Sequence, residues 1–429
     1  MDKILFVGFG PETPYAIEYA RELGVRTILA DYLSAKDNPL KARVDEHWEV
    51  DVRDVDRLEL LARESHVTAV FTGCSNEMCN DSALELCSRL GLPTLLSMEG
   101  WKATRDKLYF KQVAEESGLP TATTIHGGAD DRVPDIPVEM YPVIVKPVDA
   151  CASRGVRICR NADEVREAWE CARAVSQTHR ALIERYYSGE FVELEYVIHD
   201  GAASLLFQPR YFRPAGCGGD AAMQPISEIV DADTGWPSLV IAGFSGHPDG
   251  LVRWRNFEAD MADRFVERLA MQEGVLLLQG IDCGDSVVFF EVGYRLDGDL
   301  LWKMAAEGGC MDVMKYLFDG AIARCTPQCE FDRRIDNAGF VGGFGIWAGA
   351  GTVCRIAGVD RVNAMEGLQV LATRLRPGMQ IVEGPRTLES IAFLIGVQAS
   401  DERQCMGRIR AAINALHVLD AHGTDLLIR

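Results

Sequence analysis

The residues best placed to do chemistry are a lysine at the end of an apolar run and the small-residue loop that follows it. The stretch YPVIVKPVDACASRGVRIC, residues 141–159, carries one cation, Lys146, after the apolar residues 143–145, and Pro147 closes the run. Beta-branched residues bounded by proline and glycine predict two strands, one around Lys146 and one over residues 156–159, joined by a loop at 149–155. An unpaired charge is too costly to bury, so the ammonium must meet an anion or reach water. Backbone N–H groups of a small-residue loop can serve the same anion. Lysine and loop together read as a phosphate clamp.

Two further groups invite the same question. In DKLYFKQVAEESGLP, Lys107 and Lys111 fall one helical turn apart, on one face of a helix predicted over 106–117 and stopped by Gly118 and Pro120. Downstream, residues 275–281 and 286–292 predict a hairpin through Cys283-Gly284-Asp285. The period of two places Gln279 on the same sheet face as Glu291 and sets it opposite Phe289. A carboxylate such as Glu291 at the end of a buried strand is rare without a partner or a metal. Its partner is either a metal ion or the nearby Arg295 in an internal ion pair.

The elements that must position these groups follow in order. Residues 4–7, the Gly8-Phe9-Gly10-Pro11 turn, a helix over 15–23 and a strand over 27–30 ending in Asp31 predict the opening of a doubly wound α/β domain. A nicotinamide dinucleotide is the competing reading of that turn. GFGPET has the first two glycines of the fingerprint and Asp31 lies at about the right distance for a ribose contact, but Thr13 stands where close helix–strand packing wants the third. A further strand and helix, over 67–72 and 82–90, complete a domain of residues 1–100. Beyond the Lys146 loop come a helix opened by a capping-box pattern at Asn161–Glu164, then strands over 181–186 and 190–198. Residues 209–249, rich in glycine and proline, read as loops, either a lid whose Arg210 and Arg213 meet a carboxylate or ordinary solvated connections. A helix over 260–272 precedes the hairpin. From residue 319 the chain predicts a third lobe, with strands in 339–356 and 379–383 and a helix over 401–416.

Composition narrows the class. The chain has 429 residues, 48% hydrophobic and 25% charged, in keeping with a globular protein of two or three domains. Its net charge of −20 repels phosphate backbones and anionic lipid, which argues against nucleic acid and membrane partners. No apolar run approaches the roughly 20 residues that span a bilayer, and no signal-peptide pattern opens the chain. The expected compartment is the cytoplasm. Thirteen cysteines show no paired zinc-ligand spacing, Cys325 and Cys329 included, and read as reduced, mostly buried thiols.

Taken in order, the opening α/β domain, DKLYFKQVAEESGLP, YPVIVKPVDACASRGV, LIERYYSGEFVE and FFEVGYRLDG resemble the ATP-grasp superfamily of carboxylate–amine ligases. That superfamily includes biotin carboxylase, carbamoyl-phosphate synthetase and L-amino-acid ligases. The resemblance implies an α/β chain with a Rossmann-like domain over 1–100 and an ATP-grasp domain over 101–318. It places a small lid subdomain at about 120–190 within the latter, and a C-terminal α+β lobe over 319–429 that completes the ATP-grasp region. The implied cofactors are ATP and Mg2+, the partners a small-molecule carboxylate and an amine, and a homodimer is common in the superfamily.

By position, Lys107 and Lys146 resemble the lysines that hold the ATP phosphates, with Ser153 and Gly155 in the loop that closes over them. Glu184, Arg185, Tyr186 and Tyr187 fall in the segment that meets adenine, and Glu190 is the candidate for the ribose hydroxyls. Glu291 resembles a magnesium ligand. Arg295 resembles the arginine that steadies the reacting carboxylate or its acyl phosphate, which makes it and Lys146 the candidate catalytic residues. The implied reaction activates a carboxylate as an acyl phosphate and passes it to an amine, releasing ADP and phosphate. Three positions depart from the pattern: Gln279 replaces the first metal-bearing acid, Gly293 the asparagine after the second, and Asp297 a common glycine. The alternative they leave open is an ATP-binding protein of the same fold with weak or no catalysis.

Overall fold

The structure is a computed structural model that describes residues 2–129, 133–151, 154–214, 223–225, 241–245, 254–322, 340–382 and 391–428. Its first unit is a parallel four-stranded sheet in the order Glu46–Glu49, Arg26–Asp31, Lys3–Val7, Ala69–Phe71. The near-continuous apolar runs KILFV and TILA suit strands covered on both faces. Alternation along Lys3–Val7 sends Ile4 and Phe6 toward helix Thr13–Glu22, and Leu5 and Val7 toward helices Val55–Glu64 and Glu77–Leu90.

The dinucleotide reading of this unit fails on two side chains. Asp31, the candidate ribose partner, is 2% exposed and already engaged. It accepts from Leu33 N (2.7 Å) and Asn38 Nδ2 (2.9 Å) and pairs with the buried Lys41 at 3.5 Å. In the glycine turn the carboxylate of Glu12, fully buried, occupies the inner side of Gly10, where an added Cβ would come within 2.3 Å of Glu12 Oε1. A pyrophosphate there would face an anion.

The second unit is an antiparallel sheet in the order Thr124–Gly128, Ala181–Arg185, Val143–Pro147, Arg157–Cys159. Helix Ala162–Val175 covers one face, with Val165, Ala168 and Trp169 packed on Val143, Val145 and Ile183. Its N-cap is close to the predicted one. Asn161 Oδ1 accepts from Glu164 N (2.9 Å), while Glu164 Oε2 reaches Arg160 N (2.7 Å), one residue ahead of the cap.

The third unit is a ten-stranded sheet. It runs Val287–Gly293, Gly274–Asp282, Glu190–His199, Arg210–Pro214, Ile241–Ser245, Phe340–Trp347, Ile391–Ala399, Leu368–Thr373, with Ala202–Phe207 and Met223–Pro225 paired alongside. Two expectations change here. The parts of 209–249 that are described are strands, not loops. Strands Phe340–Trp347, Ile391–Ala399 and Leu368–Thr373 extend this same sheet, so the expected lobe is continuous with it, while Gly351–Thr352 with Gln380–Ile381 and Arg355–Ala357 with His417–Leu419 form two separate strand pairs. Glycine-rich sequence hid both, because a strand with few side chains lacks the alternation that marks one. Helices Lys107–Ser117 and Ala259–Arg268 pack on the hairpin end through Phe110, Val113, Phe265 and Val266. Every cysteine among the described residues is free, and no described helix is long and apolar enough to cross a membrane.

The hairpin register also differs from the expected one. Gln279 pairs with Glu291 and Gly280 with Phe289, so a bulge leaves Phe290 without a partner across the strands.

Lys41 tests the first unit. Replacing it with Met leaves Asp31 buried beside no cation, and urea unfolding should show a loss of about 3–5 kcal/mol. A loss near zero would refute the role given to this pair.

Candidate active site

The cleft between the sheet of the second unit (the lid sheet, since it lies in the segment expected as the lid) and the ten-stranded large sheet is crossed by buried ammonium groups. Lys146 and Glu184 lie diagonally on one face of the lid sheet, because Lys146 pairs with Leu182 and Glu184 with Ile144. Lys146 Nζ stands 2.7 Å from Glu184 Oε2 and donates across the cleft to Phe290 O (3.3 Å), the carbonyl freed by the bulge. Lys111 Nζ approaches the other Glu184 oxygen at 2.7 Å. Lys107 Nζ donates to Ala150 O (2.8 Å) on the lid side and to Glu291 Oε1 (2.9 Å) on the large sheet. Lys107, Lys111, Lys146 and Glu184 are each buried.

The local sequence explains this aim. Asp106 caps helix Lys107–Ser117 by accepting from Leu108 N and Tyr109 N, both at 3.0 Å, and is itself held by Arg180 Nη1 at 2.7 Å. Lys107 N donates to Val148 O (3.1 Å), which fastens the helix to the end of the Lys146 strand. Lys111 follows one turn later on the same face.

Electrostatics point to an anion. Three ammonium groups meet two carboxylates, an excess of one positive charge under low-dielectric surroundings. Burial pulls the Lys146 pKa down; Glu184 resists that shift, and the like charges of Lys107 and Lys111 add to it. For Glu184, burial alone would raise the pKa, but Lys146 and Lys111 together outweigh it and hold the carboxyl below its ordinary value.

The structure brings together Lys107, Lys146, Glu184 and Glu291 from the candidate set, and adds Lys111. Glu184 was expected to meet adenine; here its carboxylate is enclosed between two ammonium groups. Arg185 is exposed and stacks toward Tyr187 at 5.6 Å, and the Tyr187 hydroxyl meets Thr123 Oγ1 at 2.9 Å. Residues 186–189 link the lid to the large sheet. Gly189 passes so close to Asp282 that an added Cβ would lie 2.1 Å from its carbonyl oxygen. Glu190, at the start of the large sheet, pairs with Asp282. Gly155 takes φ +75° with Pro147 Cγ 2.9 Å from an added Cβ, a position that requires glycine. Ser153, and the side chains of Arg210 and Arg213, lie outside the described residues.

Glu291 and Arg295 do not pair with each other in preference to other partners. Glu291 takes Lys107, while Arg295 Nη2 pairs with Glu77 Oε1 at 2.7 Å, from the first turn of a helix in the first unit. Nothing in the sequence pointed to Glu77, which lies far away along the chain.

Beside Gln279 lies a second, acidic group. Glu193, Gln279 and Glu291 form one cross-strand row, and Gln279 Nε2 donates to Glu193 Oε2 at 2.6 Å. Glu195, two residues on, shares the face. Its pKa is pushed well up, first by burial and then by Glu193 and Asp297. The pattern E-x-E in an apolar strand carried this signal, and the sequence reading passed over it.

Comparison with known proteins fits this geometry. The family described as carbamoyl-phosphate synthase L chain, ATP binding domain, matches residues 106–206. Over those residues the chain is similar to that ATP-binding family. The chain resembles the L-amino acid ligase structure from Bacillus licheniformis with a TM-score of 0.72 and 18% identity, over 98% of this chain and 99% of that one. It also resembles the biotin carboxylase domain of Hydrogenobacter thermophilus 2-oxoglutarate carboxylase, solved with MgADP, ADP and bicarbonate. There the TM-score is 0.73 at 19% identity, over 97% and 90% of the two chains. In sequence it is 23% identical over 217 residues to the formate-dependent phosphoribosylglycinamide formyltransferase of Methanocaldococcus jannaschii, over 50% of this chain. That match spans about half, 54%, of the relative's length.

Glu184 tests the charge chain. Glu184→Gln leaves two ammonium groups facing a neutral amide, and urea unfolding should show a loss of about 3–5 kcal/mol at neutral pH. Because the folded-state pKa lies below the ordinary 4.5, the stabilisation is present above that value and is lost as pH falls through the folded pKa. The gap between wild type and variant should therefore narrow in acid; a gap that does not change with pH would contradict the assignment.

Proposed function

We propose that this protein is an ATP-dependent, ADP-forming ligase that joins a carboxylate to an amine. The observation that carries the reading is the excess positive charge of Lys107, Lys111 and Lys146 over Glu184 and Glu291 in the cleft. A triphosphate supplies the missing anion. In the proposed reaction a carboxylate oxygen attacks the γ-phosphorus, the bond to the β–γ bridging oxygen breaks, and ADP departs. The amine nitrogen then attacks the acyl carbon, the C–O bond to phosphate breaks, and the amine gives up a proton.

Such a transfer brings anions together, so cations and positioning matter more than a protein nucleophile. Lys107 and Lys146 hold the phosphates from opposite sides of the cleft, with the loop ending at Gly155, and with Ser153 in that loop, closing over them. Residues 184–187 line the connection where the nucleoside is expected, and Glu190 is placed for the ribose. Arg295, kept charged and oriented by Glu77, steadies the carboxylate. Magnesium fits the donor set: Glu291 and Gln279 are adjacent, offer hard oxygen donors, and Glu291 is 30% exposed at its side chain. Glu291 and Gln279 would hold the ion, which would supply neutralisation of phosphate charge, and Lys107, now on Glu291, would serve the phosphates beside it.

A second reading, nucleotide binding without turnover, rests on Gln279 and Gly293, which offer no anionic ligand. Incubation with ATP, Mg2+ and pooled amino acids or small carboxylic acids separates the two. Ligase activity yields ADP and phosphate only when substrates are present; silence with every pool favours the second reading, and AMP with pyrophosphate contradicts the proposed chemistry.

Two variants check the assignments. Lys146→Ala removes a charge-assisted contact worth about 1.5–3 kcal/mol, so a folded variant should bind an ATP analogue about ten- to a hundredfold more weakly. Retained affinity would remove Lys146 from the site. Gln279→Glu adds an anionic ligand beside Glu291 and should tighten Mg2+ binding to the nucleotide complex, read by calorimetry; no change would move the metal elsewhere.

A further inference from the structure

The acidic group beside Gln279 is not explained by the nucleotide. Glu193 and Glu195 are both fully buried, on the same face of strand Glu190–His199, and Asp297 approaches from the turn after the hairpin. One oxygen from each of the three lies within 4.8 Å of the others. Gln279 Nε2 holds Glu193 at 2.6 Å. Among the described residues neither oxygen of Glu195 accepts a hydrogen bond, although the side chain is enclosed. The nearby guanidinium of Arg295 is committed to Glu77 at 2.7 Å. An enclosed carboxylate with no donor costs several kcal/mol unless a proton or a cation completes it.

We propose that Glu193, Glu195 and Asp297 form a divalent-cation site that fills without nucleotide, separate from the Glu291–Gln279 pair. Three points select a hard dication. The donors are all carboxylate oxygens, which suit Mg2+, Mn2+ or Ca2+ over softer metals. Opposite ligands of a six-coordinate ion of this class stand about 4.2 Å or more apart, twice a metal–oxygen distance of about 2.1 Å. The observed spread accommodates that shell. A dication also serves three clustered carboxyl groups with more charge than one organic ammonium. Gln279 then has a structural reason to be neutral: its amide orients Glu193 from behind, as outer-shell donors orient metal-bound carboxylates. A glutamate at that position would put a fourth carboxylate against Glu193.

The test is Mn2+ titration of the full chain without nucleotide, with free Mn2+ read by its electron paramagnetic resonance signal. One Mn2+ per chain should bind and should compete with Mg2+. Glu195→Gln, and separately Asp297→Asn in case the first variant misfolds, should weaken it at least about tenfold, whereas Glu291→Gln should not. Absence of Mn2+ binding without nucleotide overturns the proposal, as does binding unchanged in both cluster variants or abolished in Glu291→Gln. Protection of the chain by a small alkylammonium ion with no Mn2+ bound would overturn it in favour of an organic cation. Because no ATP is present, each result stands apart from the ligase reading.

Discussion

The structure turns on a chain of buried opposite charges that joins two sheets. Lys111 and Lys146 share the two oxygens of Glu184 on the lid side, and Lys107 links the lid carbonyl of Ala150 to Glu291 on the large sheet. Each ammonium is too buried to be solvated, so each must be held by an anion or a carbonyl. Holding all three fixes the distance between the sheets and leaves one positive charge in excess, aimed at the cleft. The same contacts that close the structure therefore prepare the site for an anion.

Backbone irregularities make these contacts possible. The bulge at Phe290 frees the carbonyl that Lys146 reaches, and it brings Glu291 directly opposite Gln279. Gly189 allows the link between sheets to pass against Asp282, where any side chain would collide. On the face that carries Glu291, polarity changes across three strands. Ammonium groups gather at the Glu291 edge, the neutral Gln279 stands in the middle, and Glu193 and Glu195 lie beyond it. Positive and negative surroundings are thus separated by about two strand spacings of about 4.8 Å each, and one cleft can offer sites to a phosphate and to a cation.

Much of this was legible in the chain. The Lys146 strand, the capped helix with Lys107 and Lys111 on one face, and the hairpin bearing Glu291 follow from periodicity and turn residues, which act over a few residues. The first unit's parallel strands were equally visible, because strands covered on both faces read as unbroken apolar runs. The strands of 209–249 were hidden by glycine and proline, and the single long sheet was hidden because strand pairing across many residues leaves no local mark.

What the sequence determined by itself was the inventory and its local geometry: which lysines share a helix face, which strand ends in an ammonium, which hairpin carries a carboxylate. Local sterics and hydrogen bonding suffice for that. Tertiary structure alone decided the partners. Glu291 takes Lys107 and not Arg295, Arg295 takes Glu77, Glu184 lies between two lysines, and Glu195 is left without a donor among the described residues. Those outcomes depend on which buried charges come within about 3 Å of each other, a property of the packed sheets that no stretch of sequence contains.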